Sequence, residues 1–357
     1  MQDSEFNIET IETLDTEGRL QRPLPEGLAD RDKLVELYKL MVLTRVFDRA
    51  AINLQRTGAM GTYPSCEGQE AIGTGIGFAM RDDDVLVPYY RDVATQIRRD
   101  VLMEEILVYW GGDERGQDYQ RQSQDFPVCI PIATQSCHAV GVAYAIKYRK
   151  QDRAVVTTCG DGATSKGDFY ESINIAGAMG LPVVFVVNNN QWAISVPLEK
   201  QTAARTIAQK AFAAGIKGIR VDGNDPIAVY EVMIEALERA RHDHQPTLVE
   251  ALSYRLCDHT TADDATRYRD AKEYDEARAI EPLIRFKRLL QNEYDWSDVD
   301  DKALYDDCDD RVKKATEVYQ ASVGQSAGEF FDHMFAEPPT DLARQKKAWL
   351  DAVKHRG

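Results

Sequence analysis

GDGATSKGDFYESINIAGAMGLPVVFVVNNNQWAIS, residues 160–195, decides the fold. Just upstream, residues 154–159 (AVVTTC) are apolar and β-branched, the pattern of a strand buried on both faces of a parallel sheet. That strand runs into Gly160-Asp161-Gly162, where two glycines permit a tight turn and a close approach of backbone to a ligand. Over residues 168–179, Phe169, Ile173 and Ala176 recur at helical spacing. Gly180 can close that helix as a left-handed cap, and Pro182 cannot continue it. Residues 182–187 (PVVFVV) form a second buried strand, ended by Asn188-Asn189-Asn190. One strand–helix–strand unit results, with a right-handed crossover. It brings Asp161 and Asn190 to the carboxyl edge of adjacent parallel strands, where open α/β sheets bind ligands.

That edge offers one carboxylate, side-chain amides and exposed carbonyls. These are hard oxygen ligands, suited to Mg or Ca that keeps further positions for water or phosphate. The glycine turn leads to a helix start, whose N–H groups favour phosphate. The physical reading is a diphosphate cofactor clamped through a metal. Competing motifs fail on inspection. Ser165 and Gly167 break the P-loop pattern, and no HExxH or Cys/His cluster supports zinc. There is no GxSxG, and residues 298–302 lack the central glycine of a calcium loop.

Outward from the unit, residues 1–30 are polar, carry Pro23 and Pro25, and read as an extended arm, either wrapped on a neighbouring subunit or frayed. Leu34, Leu37, Tyr38, Met41, Val42 and Val46 predict a long helix over 30–56 with Asp30 as N-cap. Gly73, Gly75 and Gly77 suit a closely packed helix over 69–80. They do not make a dinucleotide fingerprint, because no strand precedes them. Residues 82–84 read as a solvated acidic turn, and 85–89 as a strand closed by Tyr90-Arg91-Asp92. Further helices are expected at 101–110 and 133–148. Downstream, 191–206 reads as a loop that is mobile without a ligand. A helix at 207–214, a strand at 218–221, a helix at 227–241 and a strand at 246–252 follow. Alternating strands and helices predict an α/β fold, a doubly wound, mostly parallel sheet flanked by helices. The connection 253–270 is long, and loops of that length are usually functional. The domains expected are an arm (1–30), the α/β domain (31–275) and a charged helical tail (276–357) packed on the sheet or on a partner.

With 43 basic and 59 acidic side chains the net charge is −16. That argues against nucleic acid and anionic membranes as partners. Six cysteines without a C-x-x-C pair read as free thiols in a reducing cytoplasm. The polar first residues do not form a signal peptide, and no apolar run reaches membrane-spanning length.

The Gly-Asp-Gly followed by an Asn pair resembles the thiamine-diphosphate motif. The wider run from Lys166 to Ser195, with CDHTTADDATRYRD at 257–270, resembles the alpha subunit of the decarboxylating component of 2-oxoacid dehydrogenase complexes. The likeness spans about residues 34–336. It implies the thiamine-diphosphate-binding fold, with thiamine diphosphate and Mg as cofactors. Asp161 and Asn190, with the Trp192 carbonyl, would ligate Mg, and Gly160, Gly162 and Ala163 would cradle the diphosphate. Tyr90 and Arg91, which alone read equally as a surface pair, would reach the phosphates. Ile130 and Ile132 would lend backbone groups to the aminopyrimidine, and Ile194 would press between the two rings rather than simply pack. His259, otherwise a loop histidine, would act over the active site as the catalytic residue. Thr260 falls where some relatives are phosphorylated. Ser136-Cys137-His138 departs from the family pattern, and His138 reads as a structural histidine.

The resemblance also implies that half of the active site is missing, since the glutamate needed for ylid formation belongs to a second domain. A beta subunit would supply it in an α2β2 heterotetramer, acting with a lipoyl-acyltransferase core on a small 2-oxoacid. Pyruvate is the first choice of substrate, with branched-chain 2-oxoacids as the alternative. A split transketolase does not suit Lys166 or the NNNQWAIS run. Intact Asp161, Asn190 and His259 argue against a purely scaffolding subunit.

Overall fold

The computed structural model describes residues 8–322, 324, 327–332 and 334–355. The ends of the expected arm and tail, 1–7 and 356–357, lie outside them. Eight strands follow in chain order: β1 (Thr10–Ile11), β2 (Val85–Val87), β3 (Val155–Gly160), β4 (Val183–Asn189), β5 (Trp192–Ala193), β6 (Val196–Pro197), β7 (Lys217–Asp222) and β8 (Thr247–Leu252). Six build one sheet in the order β1-β7-β8-β4-β3-β2. Every pairing in it is parallel. β5 and β6 form a separate antiparallel hairpin.

The apolar runs dictate this architecture. All seven residues of β4 are buried, and successive side chains alternate between two cores. Val183, Phe185 and Val187 pack beneath α5 (Thr134–Tyr148), α6 (Gly167–Met179) and α7 (Lys210–Ala213). Val184 and Val186 pack against α2 (Glu70–Ala79) and α8 (Pro226–Asp243). Each such valine or phenylalanine contributes about 1.5–3 kcal/mol by burial. Gly75 is needed on α2 because a Cβ there would lie 2.6 Å from Val229 of α8.

A third core holds an outer helical layer. α1 (Arg31–Arg56) packs on α2, α10 (Pro282–Glu293) and α11 (Asp298–Ser322). Within the expected tail, α10 and α11 therefore lie on α1, and Arg285 of α10 reaches Asp222 at the end of β7 at 2.7 Å. Asp30 caps α1 as its side chain accepts from Asp32 N–H at 3.0 Å. Part of the expected arm is β1, added to its own sheet beside β7. The acidic turn is not solvated throughout. Asp84 is fully buried and pairs with Arg241, 157 residues away, so no local pattern could announce it. The expected loop 191–206 carries regular structure of its own, the β5–β6 hairpin.

Candidate functional site

The carboxyl ends of four neighbouring strands converge on one cleft of about 210 Å³. Tyr90 and Arg91 follow β2, Gly160 ends β3 and Asp161 to Ala163 follow it, Asn190 to Ile194 follow β4, and His259 comes from the loop after β8. Ile132, on the segment before α5, completes the wall. Every residue assigned to the cofactor or the metal from the sequence lines this cleft except Ile130, which is 46% exposed. Tyr89, Cys129, Gln135 and Ala193 also line it and were not anticipated.

Each element is held in place by specific contacts. The register pairs Gly160 with Asn188, which sets Asp161 and Asn190 on adjacent strand ends. The three asparagines have different partners. Asn188 donates to Tyr89 Oη at 2.8 Å, Asn189 to the buried Glu250 at 2.7 Å, and Asn190 to Gln69 Oε1 at 3.2 Å. Tyr89 Oη donates to that same Gln69 oxygen at 3.2 Å, closing a network across β2, β4 and α2. Asn190 Oδ1 accepts from Trp192 N–H at 3.2 Å and keeps a second lone pair. Gly162 must be glycine because a Cβ would lie 2.8 Å from the Ala193 Cβ, whereas a Cβ on Gly160 would meet nothing within 4 Å. Ile194 adopts φ +56° at the hairpin tip, with its side chain 56% exposed. A β-branched residue in that region is strained.

The electrostatics are uneven. Asp161 is buried, and desolvation raises its pKa, although Gln201 donates to its Oδ2 at 2.7 Å. Arg91 is buried and donates to the Ser65 carbonyl, to the His259 carbonyl at 2.7 Å and toward His259 Nδ1 at 3.2 Å. A guanidinium only donates, so Nδ1 is the acceptor and the imidazole proton sits on Nε2. Burial first, then the charges of Arg91 and Arg255, lower the His259 pKa to about 4. Arg255 spans the two loops, donating to the Ile194 carbonyl at 2.9 Å and the Trp192 carbonyl at 3.4 Å. Asp263 accepts from the His259 N–H at 2.8 Å. His138 lies outside the cleft, its ring 6.0 Å from Phe126.

The donor set can be tested against a cation and a diphosphate. A buried carboxylate, an amide oxygen and a carbonyl on adjacent strand ends are hard ligands of the right type. Gly160 leaves open the space a side chain would fill, and Gln135 Oε1 is buried in the wall without a partner among the described residues. The residues present fit such a group.

A second cleft of about 660 Å³ adjoins the first. Tyr63, Ser65, Glu67, Cys257 and Thr260 line it. Tyr63 is fully buried and donates to Asp48 at 3.0 Å. Arg91 bonds Ser65 across the wall between the two clefts.

Residues 38–325 match the family model for the dehydrogenase E1 component. The chain belongs to that family. E1 components are oxidoreductases of 2-oxoacid dehydrogenase complexes, and this E1 chain has curated relatives of two kinds. It is similar to the 3-methyl-2-oxobutanoate dehydrogenase subunit alpha of Mycobacterium tuberculosis, 44% identical over 281 residues, covering 79% of this chain and 75% of the relative. It is also similar to the pyruvate dehydrogenase E1 component subunit alpha of Bacillus subtilis, 39% identical over 339 residues (94% and 91%). The corresponding Staphylococcus aureus subunit is 37% identical over 353 residues (98% and 95%). Among the described residues of this E1 chain, no helix is long and apolar enough to cross a membrane.

Proposed function

We propose that this chain is the alpha subunit of a pyruvate dehydrogenase, acting in the cytoplasm with thiamine diphosphate and Mg. The observation that carries the reading is the meeting of Asp161, Asn190 and the Trp192 carbonyl with His259 over one cleft. Asp161, Asn190 and the Trp192 carbonyl would hold Mg, and the Gly160–Ala163 backbone with Arg91 and Tyr90 would hold the diphosphate. Ile132 and Ile130 would flank the aminopyrimidine, and Ile194 would enforce the bent form. When bound, thiamine diphosphate supplies the nucleophilic carbon and the electron sink for decarboxylation. This chain's residues bind, orient and exclude water. His259, neutral with its proton on Nε2, acts as a hydrogen-bond donor rather than as a cation.

Among the described residues Asp161 is the only carboxylate lining the cleft, and the reading commits it to the metal. A separate beta subunit therefore has to bring the acidic group that activates the cofactor, giving an α2β2 assembly served by a lipoyl-acyltransferase. In their C-terminal parts, α5 and α6 leave Tyr144, Tyr148, Ile175 and Met179 exposed, an apolar face that suits such a partner. The division into an arm (1–30), an α/β domain (31–275) and a helical tail (276–357) belongs to the same proposal.

The branched-chain alternative is kept because of the 44% identity to a 3-methyl-2-oxobutanoate dehydrogenase subunit. Decarboxylation with an artificial electron acceptor, with and without the beta partner, tests both. Turnover of pyruvate well above 3-methyl-2-oxobutanoate supports the first reading, and the reverse preference supports the second. Turnover by the chain alone refutes the shared-site reading.

A further inference from the structure

We infer that Gln201 is a positioning residue of the cation seat, fixing Asp161 with its amide N–H and offering its amide oxygen to a water on the ion. The inference rests on the reading that Asp161 carries the cation. Gln201 lies on the loop after β6, outside every motif read from the sequence. Its Nε2 donates to Asp161 Oδ2 at 2.7 Å and to the Val196 carbonyl at 3.0 Å. Committing Oδ2 to an amide selects which carboxylate oxygen is left for a metal. Ligating carboxylates are commonly held this way by an outer partner.

The other end of the amide is the second observation. Gln201 Oε1 is sealed from solvent and has no hydrogen-bond partner among the described residues. It lies 3.9 Å from where a Cβ on Gly162 would sit, beside the backbone of the glycine turn. A buried carbonyl without a donor is unfavourable, so the donor must come from something that enters the seat. Magnesium-type ions retain several waters when bound, and such a water is a donor of the right kind. Both roles act in one direction, since losing Gln201 weakens the cation. The Val196 contact ties the same side chain to the β5–β6 hairpin, which carries Trp192 and Ile194.

The test uses the full chain assembled with its beta partner, thiamine diphosphate present, and Mn²⁺ as the probe, with free ion counted by electron paramagnetic resonance. Gln201→Met keeps the length of the side chain and removes both polar atoms. The expected result is Mn²⁺ affinity lowered by about 10–100-fold. Saturating Mn²⁺ should restore full thiamine-diphosphate occupancy, because the rest of the seat is still built. Unchanged Mn²⁺ affinity overturns the inference, and so does occupancy that saturating Mn²⁺ fails to restore. Asp161→Ala, measured alongside, separates the two levels. Normal Mn²⁺ binding by Asp161→Ala refutes the cation reading itself. Loss there with Gln201→Met unchanged refutes the role of Gln201 alone.

Discussion

Ile194 and His259 are both held in states that carry a cost without a ligand. Ile194 sits at φ +56°, where asparagine is far better tolerated than a β-branched residue. Ile194→Asn should therefore stabilise the cofactor-free chain by about 1 kcal/mol in urea unfolding. It should at the same time weaken thiamine-diphosphate binding by calorimetry. Loss of stability would show that the Ile194 side chain, and not its backbone, governs the hairpin. For His259 the sign follows from its lowered pKa. The unfolded chain, with the ordinary value of 6.5, takes up a proton before the folded one, at about 4. Stability of the cofactor-free chain should then fall as pH drops from about 6.5 to about 4, with no contribution from this group above that window. His259→Asn should flatten that part of the profile, and an unaltered slope would refute the assignment. At this scale the sequence was informative where chemistry is local. The glycine turn and asparagine run could be read directly, and the loop histidine came from the resemblance. Gln69, Gln135 and Gln201 could not be found, because a glutamine has no motif and its partner is set by the fold. Asp84 misled for the same reason, with Arg241 contributed from α8.

Among the elements, α8 shows how one side chain can serve two. Asp225 is fully buried and caps α8, Oδ1 accepting from Ile227 N–H at 3.0 Å and Ala228 N–H at 3.1 Å. Its Oδ2 accepts from Thr13 N–H at 2.7 Å and Leu14 N–H at 2.6 Å, pinning the segment after β1. Asp225→Ala removes a helix cap and strands two further buried donors. A cap alone accounts for about 1 kcal/mol and each unsatisfied donor for about 1–3 kcal/mol. The expected loss is therefore at least about 3 kcal/mol in denaturant unfolding, with protease sensitivity appearing first near residues 8–14. A loss below 1 kcal/mol would mean that water replaces the carboxylate freely. The periodic helices and the apolar strands were legible in the sequence because burial on one or two faces imposes a repeat. β1 was not legible, since two residues carry no period, and neither was the β5–β6 hairpin, whose strands are equally short.

For the whole molecule, the question is what covers α5 and α6. A helix with apolar residues around its circumference belongs in an interior, yet Tyr148 is 79% exposed and Tyr144 49%. Tyr144→Glu combined with Ile175→Glu should leave the circular dichroism of the chain unchanged and abolish co-purification with the beta subunit. Retained co-purification would move the interface to another face. The sequence could signal a partner only by showing that half of the catalytic chemistry is absent. It could not show which surface is left open, because exposure is a property of the folded layers.

The place of β1 at the edge of the sheet bears on how the chain is made. β1 is synthesised long before β7, the strand it pairs with, and 211 residues separate Leu14 from Asp225. Leu14 also accepts from Arg285, 271 residues further on. At about 5–20 residues per second, the segment waits on the order of ten seconds or more at the ribosome before its partners emerge. The first described strand is thus among the last to be paired, and until β7 emerges β1 has no neighbour. A nascent chain halted before β7 would leave the β1 segment open to chaperones or to a neighbouring nascent chain.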